Sequence, residues 1–232
     1  MNEVYWVVML VANFLLVILA YKLFGKKGLF IWIPVATIVA NIQVVQTIEL
    51  FGLAATLGNI VYASSFLVTD ILSELYGKKE ANRAVWIGFF SVIVMTILMY
   101  LALLFKPLEG DDFSIVTYES LDTIFSLMPR IVIASLLAYL VSQRHDVWAY
   151  HFWKNKFPGV KMIWLRNNLS TMISQLLDSL LFTLVAFYGK YELIMLGEIF
   201  ITTYLLKWIV AVADTPFIYW AIKIKTLTKN EE

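Results

Sequence analysis

Charged side chains interrupt several long apolar runs of this chain, and they are the first candidates for chemistry. Asp70 and Glu74 lie four residues apart in one run, Asp178 lies in the middle of another, and Lys207 and Asp214 lie seven residues apart in the last. An ionisable group at membrane depth costs about 3 kcal/mol or more, so such groups face a protein interior or a water-filled cavity. These residues therefore predict a site that binds a polar ligand, an ion or a proton.

A polar stripe runs along the segment that contains Asp178. Its members recur at spacings of four, three and four residues, at Asn167, Thr171, Ser174 and Asp178, with Asn168 and Gln175 beside them. This spacing places them on one helix face, where they serve either as hydrogen-bonding glue between helices or as the lining of a cavity. Hydroxyl groups alone favour hydrogen bonding between helices. The carboxyl group of Asp178 favours the cavity.

Structural interpretations compete with functional ones for the charged groups. Asp70 and Glu74 share a helix face, so they require a nearby cation unless Glu74 already lies at the headgroups, anchored by Lys78. Lys207 could pair with Asp178 between the last two segments, which would give both a structural role. Arg130 could hold a buried carboxylate in its ionised form. We assign structural or coupling roles to Arg130, Glu74, Lys207, Asp214 and Gln143.

Two aromatic residues and one amide extend the list of candidate ligand contacts. Tyr62 and Phe66 lie on or near the same side of their segment as Asp70, and either ring could stack on a flat ligand. Core packing is the commoner role for such rings. Asn41 carries a donor and an acceptor, which suits either a ligand or a bond between helices.

Catalytic and cofactor-binding patterns are absent from the sequence. The two histidines, His145 and His151, lack metal-ligand spacing on a span, and there is no cysteine, no GxSxG elbow and no phosphate loop. The formal net charge of +1 indicates no nucleic-acid partner. We therefore expect no enzyme activity, no cofactor and no metal.

The elements that must position these residues are transmembrane helices. The chain has 232 residues, of which 61% are apolar, and it contains seven apolar segments at about 4–24, 29–50, 53–76, 82–105, 123–142, 167–188 and 193–222. Runs of this length cross a hydrocarbon core as helices, since a lipid-exposed backbone must satisfy its own hydrogen bonds. The short connection at Phe51-Gly52 could instead be a re-entrant bend. Residues 146–157 mix aromatics with bases and could lie as an amphipathic helix at the headgroups.

Loop charges predict the orientation of the bundle. Basic residues collect in alternate connections and in the tail, whereas acidic residues such as Glu109, Asp111 and Asp112 occupy the opposite side. Basic loops stay in the cytoplasm, so this pattern predicts an all-α bundle of seven spans with its N-terminus outside and its C-terminus inside.

Three blocks resemble the queuosine precursor transporters, also called the vitamin uptake transporter family. The first is FLVTDILSELYG at 66–77, and the second is RIVIAS at 130–135 with Tyr139, Ser142-Gln143 and Asp146-Val147. The third is WLRN at 164–167 with Ser170-Thr171, Ser174-Gln175 and Asp178-Ser179. The resemblance implies a multi-pass importer of 7-deazaguanines in the cytoplasmic membrane. It also implies that residues 1–28 form an additional N-terminal helix and loop, 29–222 a six-helix transport core and 223–232 a cytoplasmic tail, with a homodimer as one option.

A 7-deazaguanine presents two donors and a carbonyl along one edge of a flat ring. We expect Asp178 or Asp70 to accept the donors, Gln175 or Asn41 to bind the carbonyl or a substituent, and Phe66 or Tyr62 to stack on the ring. Ser174 and Asn168 complete the predicted binding set.

Two alternatives stay open at this point. One is a substrate-binding subunit that depends on an external energy-coupling ATPase, and the other is a membrane-embedded enzyme with a divalent ion at Asp70 and Glu74. The sequence leaves the source of driving energy undecided between protons and facilitated diffusion.

Overall fold

The structure, a computed structural model, describes residues 1–125, 129–189 and 192–229. Within these ranges the chain forms α1 (Asn2–Phe24), α2 (Lys26–Gln43), α3 (Asn59–Leu75), α4 (Lys78–Ala102), α5 (Asp112–Phe125), α6 (Pro129–Lys156), α7 (Ile163–Phe187) and α8 (Leu193–Lys229). Strands β1 (Thr47–Leu50) and β2 (Leu53–Thr56) lie between α2 and α3, and a 3-10 turn (Val160–Met162) precedes α7. Part of the predicted segment 123–142, at 126–128, and the end of the predicted tail, at 230–232, lie outside the described residues.

The chain is a predominantly helical, multi-pass membrane protein. Within the described residues, four stretches are long and apolar enough to cross a bilayer, namely α1, α4, residues 160–187 and residues 196–225. These helices expose large apolar side chains such as Leu16, Leu98, Leu180 and Ile209. Apolar surface of this extent matches contact with lipid chains. The count of seven spans and the orientation stay predictions.

Residues 47–56 form an antiparallel hairpin where we predicted helical ends of two spans. Thr47 pairs with Thr56 and Leu50 with Leu53. The turn residues Phe51 and Gly52 have φ of 53° and 77°, and positive φ at both positions is characteristic of a type I′ hairpin. Because the paired strands satisfy each other's backbone groups, this short stretch does not need to be helical. The prediction of continuous helix through Leu50 and from Leu53 is therefore wrong.

Helix α6 is longer than predicted, because it continues through residues 146–156 without a break. We expected a loop after Ser142 and a separate amphipathic helix at the headgroups. Instead Asp146, Val147 and Tyr150 are buried on one face of the continuing helix. Their burial against the bundle explains why the helix does not bend away. A second difference is α5, which forms within the acidic connection.

Helix α3 lies at the centre of the bundle. All its residues from Ala63 to Ser73 are buried, so neither face of this stretch is left to contact lipid. This is expected of a helix that is surrounded by other helices. Close approach of α2 to the start of α3 depends on Gly58, since a Cβ there would lie 2.4 Å from the carbonyl oxygen of Ala40. Small residues allow helices in membranes to pack this closely.

Helix α1 is part of this packed core. Phe14, Val17 and Ile18 are buried in the main apolar cluster. The Asn13 side chain donates a hydrogen bond to the Ile60 carbonyl at 3.1 Å, and the hydroxyl groups of Tyr21 and Tyr76 lie 3.1 Å apart. Helix α1 therefore supports α3 directly along its length.

The two ends of the bundle differ in their chemistry. The hairpin end carries β1 and β2, the start of α1 and the end of α7; there Asn2 donates a hydrogen bond to the Glu49 carbonyl at 3.1 Å. The opposite end, which we call the basic end, carries the ion pair of Lys26 with Glu80 at 2.9 Å and the bond from Lys225 to the Leu75 carbonyl at 2.5 Å.

Candidate functional site

A pocket opens between the helices in the half of the bundle nearer the hairpin. It encloses about 530 Å³ of empty space, its open mouth included. Residues from α2, α3, α4, α6, α7 and α8 line it, and those with polar side chains are Thr37, Asn41, Asn59, Tyr62, Ser135, Tyr139, Asp178 and Lys207. We call it the hairpin-end pocket. Of the predicted binding residues, it contains Asn41, Tyr62 and Asp178.

Asp178 is the centre of a hydrogen-bonded network in the wall of this pocket. One oxygen of its carboxylate, Oδ2, pairs with the buried ammonium group of Lys207 on α8. The other oxygen accepts hydrogen bonds from Tyr62 at 2.7 Å and from Ser142 at 3.1 Å. The expected Asp178–Lys207 pair is therefore present. The network joins α3, α6, α7 and α8, so it fixes the position of the Tyr62 ring.

Aromatic rings form one side of the pocket. The centroids of Tyr62 and Tyr139 lie 5.8 Å apart, and the Lys207 ammonium lies 5.4 Å from the Tyr62 centroid. Phe66 is fully buried one turn further along α3, with its ring edge-on to Tyr62 at 5.7 Å. Phe66 therefore supports Tyr62 from behind and does not line the pocket.

Two amide side chains bring unused hydrogen-bonding atoms to the pocket. Asn41 donates to the Thr37 carbonyl at 2.8 Å, which leaves its side-chain oxygen buried without a donor among the described residues. The side-chain nitrogen of Asn59 is likewise buried without an acceptor in that part of the chain. A buried polar atom without a partner costs about 1–3 kcal/mol. One free acceptor and one free donor can therefore be satisfied by a bound polar molecule.

A second polar region lies deeper in the bundle, toward the basic end. Asp70 on α3, Asp146 on α6 and Asp214 on α8 are buried there, and we call them the carboxyl cluster. Asp70 accepts a hydrogen bond from Thr171 at 3.2 Å, and Asp214 accepts one from Asn167 at 2.8 Å.

Several predicted binding residues belong to this deeper region or lie close to it. Ser174 donates to the Ser170 carbonyl at 2.8 Å, and its hydroxyl lies 2.9 Å from Nδ1 of His145. Gln175 is buried, and both atoms of its amide lack a partner among the described residues. Asn168 bonds the Trp164 carbonyl at 2.6 Å and the Thr215 hydroxyl at 3.1 Å. The structure thus divides the predicted site between two regions.

Glu74 is held by two cations at the basic end. It pairs with Arg166 at 2.5 Å and with Lys154 at 3.2 Å, and it accepts a hydrogen bond from Tyr150 at 3.2 Å. The suggested anchor, Lys78, takes no part in these pairs. The reason is that the extended α6 carries Lys154 alongside the end of α3, so the charge of Glu74 is balanced within the bundle.

Among the described residues Arg130 has carbonyl groups as partners and no buried carboxylate, contrary to our expectation. Its guanidinium donates to the carbonyls of Val185 at 2.7 Å and Tyr188 at 2.5 Å. The last carbonyls of a helix lack partners within that helix, so a cation there completes their hydrogen bonding. Gln143 also has a structural position, since it donates to Ser65 at 2.7 Å and accepts from Thr69 at 3.3 Å.

Sequence reasoning gave no role to several residues of these regions. They are Asn59, Tyr139, Ser142, Asp146 and Arg166. Tyr139, Ser142 and Asp146 were recognisable in part, because together with Gln143 they follow the spacing of one helix face. Placing the end of the span at Ser142 hid this pattern.

The hairpin-end pocket presents polar and aromatic side chains, and the Ser174 hydroxyl, which lies beside His145, is not part of it. Among the described residues, no group of three His, Cys, Asp or Glu side chains is placed to hold a metal ion. The geometry is that of a binding site enclosed by helices.

Comparison with known proteins shows that the sequence matches a described family and several named relatives. A family model described as "Putative vitamin uptake transporter" matches residues 56–221. A protein of Bacillus subtilis named "Probable queuosine precursor transporter" is 45% identical over 231 residues, which are 100% of this chain and 98% of the relative.

Two more distant relatives carry related names. One from Haemophilus influenzae, "Probable queuosine precursor transporter", is 25% identical over 60% of this chain and 54% of its own length. One from Escherichia coli, "Queuosine precursor transporter", is 25% identical over 67% of this chain and 66% of its own length. No solved structure matches this chain at a significant level.

Proposed function

Since the chain belongs to the vitamin uptake transporter family, as its sequence blocks indicated, we propose that it imports queuosine precursors of the 7-deazaguanine class. It is a membrane transporter and not an enzyme. The relative that is similar over its whole length bears the name of a queuosine precursor transporter. The observation that carries the proposal in this chain is the hairpin-end pocket, with its aromatic side and its two unused amide atoms.

The chemistry of a 7-deazaguanine matches the free groups of the pocket. Its ring amide N–H and exocyclic amine can donate hydrogen bonds to the side-chain oxygen of Asn41. Its carbonyl is an acceptor for the side-chain nitrogen of Asn59. Both atoms are buried without a partner among the described residues, so a bound ligand would remove the cost of burying them unpaired.

Stacking provides the second part of recognition. Tyr62 and Tyr139 present adjacent rings beside the two amides. Stacking of a base on an aromatic side chain contributes about 1–3 kcal/mol. Asp178 is occupied by Lys207, Tyr62 and Ser142, so its proposed role is to hold Tyr62 and Lys207 in place around the ligand.

The proposed orientation makes the hairpin end the outer entrance. The basic residues Lys79, Arg83, Lys154 and Lys161 lie toward the other end, where the positive-inside rule places the cytoplasm. A protein oriented in this way in the cytoplasmic membrane would admit the precursor at the hairpin and release it toward the enzymes of tRNA modification. A homodimer stays a prediction.

Uptake in cells that neither make nor import the precursor tests this function. The chain is expressed there, 7-cyano-7-deazaguanine is supplied at low concentration, and queuosine is measured in digested tRNA. We expect queuosine to appear with the chain and not with an empty vector, and excess adenine should not compete. Queuosine levels equal to those of the vector, with the protein present in the membrane, would contradict the proposal.

A further inference from the structure

Asp70 and Asp146 form a buried pair of acids on neighbouring helices. Both side chains are fully buried, and their carboxyl groups lie side by side, close enough to hydrogen-bond once one of them carries a proton. Asp146 also lies against the hydroxyl groups of Ser170, Thr171 and Ser174 on α7. Asp214 on α8 adds a third buried acid nearby.

The pair has unused binding capacity. Neither oxygen of Asp146 makes a well-aligned hydrogen bond to a described residue, although the three hydroxyl groups lie close by, and one oxygen of Asp70 also lacks such a bond. The second oxygen of Asp70 accepts a bond from Thr171. Asp146 is thus a fully buried carboxyl group in a polar cluster whose hydrogen-bonding capacity the protein leaves largely unused, which a solely structural role does not explain.

Among the described residues, the buried cations on the helices around the pair bind other carboxylates. On α7, Arg166 pairs with Glu74 of α3, and Lys154 of α6 pairs with the same carboxylate. On α8, Lys207 pairs with Asp178. His145 of α6 lies against Ser174. None of these groups neutralises Asp70 or Asp146, and two adjacent buried carboxylates without a cation repel each other strongly.

We propose that Asp70 and Asp146 form a proton-binding site that couples substrate import to proton entry. A proton taken from the outer side adds to one carboxylate oxygen, is held between the two acids, and leaves toward the cytoplasm as substrate is released. No covalent bond to the substrate is made. The proposal rests on the proposed import function and adds its energy source.

Two helices connect this pair to the substrate pocket. Tyr62 and Asp70 lie eight residues apart on α3, a distance of ~12 Å along the axis. Thr171 and Asp178 lie seven residues apart on α7, or ~10 Å. Tyr62 bonds Asp178 and Thr171 bonds Asp70, so a movement of α3 against α7 alters both sites together. This linkage allows protonation of the pair to favour one arrangement of the pocket.

A proton fits the pair better than a metal ion does. A shared proton satisfies two adjacent carboxyl groups with one short hydrogen bond, whereas Ca²⁺ and Mg²⁺ need about six oxygen ligands. A sodium ion bound by these acids and the hydroxyl groups of α7 is the competing occupant, and the test distinguishes it.

The test uses purified protein in liposomes that contain pyranine, with radiolabelled 7-cyano-7-deazaguanine outside. An inward proton gradient should drive accumulation at least fivefold above equilibrium, and addition of substrate should speed acidification of the lumen. Counterflow exchange without any gradient measures transport alone. The proposal would be overturned if added substrate does not change the rate of acidification of the lumen. It would also be overturned if only an inward sodium gradient drives accumulation.

Two variants locate the coupling. Asp146→Asn should lower the ratio of gradient-driven accumulation to counterflow about tenfold, and Asp146→Glu should restore much of it. Asp112→Asn makes the same chemical change at an exposed acid of α5 and should behave as wild type. An unchanged ratio in Asp146→Asn contradicts the assignment to this pair. Absence of counterflow in the wild-type protein would instead show that the proposed function itself is wrong.

Discussion

At the scale of single residues, the hairpin-end pocket combines satisfied and unsatisfied polar groups. Asp178 is satisfied by three side chains, whereas the Asn41 oxygen and the Asn59 nitrogen lack partners among the described residues. Groups that are already bonded to protein hold a site in shape, and groups that are not bonded are the ones a ligand can use. This difference assigns the amides to recognition and Asp178 to support.

Asn41→Ala should raise the KM for uptake about tenfold, because it removes a hydrogen bond worth about 1.4 kcal/mol to the substrate. The maximal rate should change less than the KM, since the pocket stays intact. Initial rates over a range of precursor concentrations measure both. Gln46→Ala, at an exposed amide outside the pocket, is the matched control. A KM within a factor of two of wild type in Asn41→Ala would remove this residue from recognition.

Breaking the buried pair of Asp178 and Lys207 should destabilise the protein. Asp178→Asn leaves the Lys207 ammonium uncompensated, and Lys207→Met leaves the carboxylate with only two hydroxyl donors. Each single change should cost about 3–5 kcal/mol, and the double variant should recover most of that loss. Thermal unfolding of the four purified proteins in detergent, followed by tryptophan fluorescence, measures the cycle.

Uptake separates the structural from the functional part of that pair. If Asp178 orients Tyr62 for the ligand, the double variant stays at least tenfold slower than wild type despite its recovered stability. Wild-type uptake by the double variant would reduce Asp178 to a structural residue.

At the scale of elements, close contacts between helices determine the shape of the pocket. On α4, a Cβ added to Gly88 would lie 2.2 Å from the hydroxyl oxygen of Tyr139 and 2.8 Å from a methyl group of Ile33. Tyr139 lines the pocket from α6 and Ile33 belongs to α2. The absence of a side chain at Gly88 therefore allows three helices to meet beside the ligand site.

Gly88→Ala should lower stability by about 1–3 kcal/mol, the usual cost of overpacking, and should reduce uptake by displacing the Tyr139 ring. Tyr139→Phe in the same chain removes the closest atom of the clash and should restore part of the stability. Melting temperature in detergent and uptake rate are the two measurements.

Gly197→Ala is the control for Gly88→Ala, because a Cβ at this helical glycine of α8 meets nothing within 4 Å. It should melt and transport as wild type does. A Gly88→Ala protein that is as stable and as active as Gly197→Ala would contradict the close packing of α2, α4 and α6.

At the scale of the whole molecule, the charge distribution along the bundle predicts its direction in the membrane. The acidic connection with Glu109 follows the end of α4, whereas Lys79 lies in the first turn of α4, at the opposite end of the helix. The chain contains no cysteine, so single cysteines can be introduced without first removing a native cysteine.

Glu109→Cys should react with a membrane-impermeant maleimide added to intact cells, and Lys79→Cys should react only after the cells are permeabilised. Both positions are exposed on the structure, so accessibility to the reagent depends on the side of the membrane. Gel mobility after labelling gives the readout. The reverse pattern would invert the proposed orientation, and labelling of both in intact cells would contradict an odd number of helical crossings between them.

The sequence by itself determined the helical membrane architecture and the family, and it offered the pairing of Asp178 with Lys207 as a structural alternative. Hydrophobicity and loop charge are local properties, and they need no knowledge of which helix touches which. This pairing could be inferred because Asp178 and Lys207 carry opposite charges within consecutive apolar segments. The sequence analysis also named Tyr62 and Asn41 as candidate ligand contacts, and both line the pocket. It did not predict that Phe66 would pack against Tyr62 outside the pocket.

Only the tertiary structure decided how the polar residues divide into two regions. Asp70 and Asp178 both lie inside apolar runs, yet one meets Asp146 and the other meets Lys207. Which partner each finds depends on the rotation of the helices and on contacts between residues far apart in sequence. Local patterns did not predict the hairpin at 47–56, the continuation of α6 to Lys156 or the capping role of Arg130. Each of these depends on backbone or side-chain partners that another part of the bundle supplies.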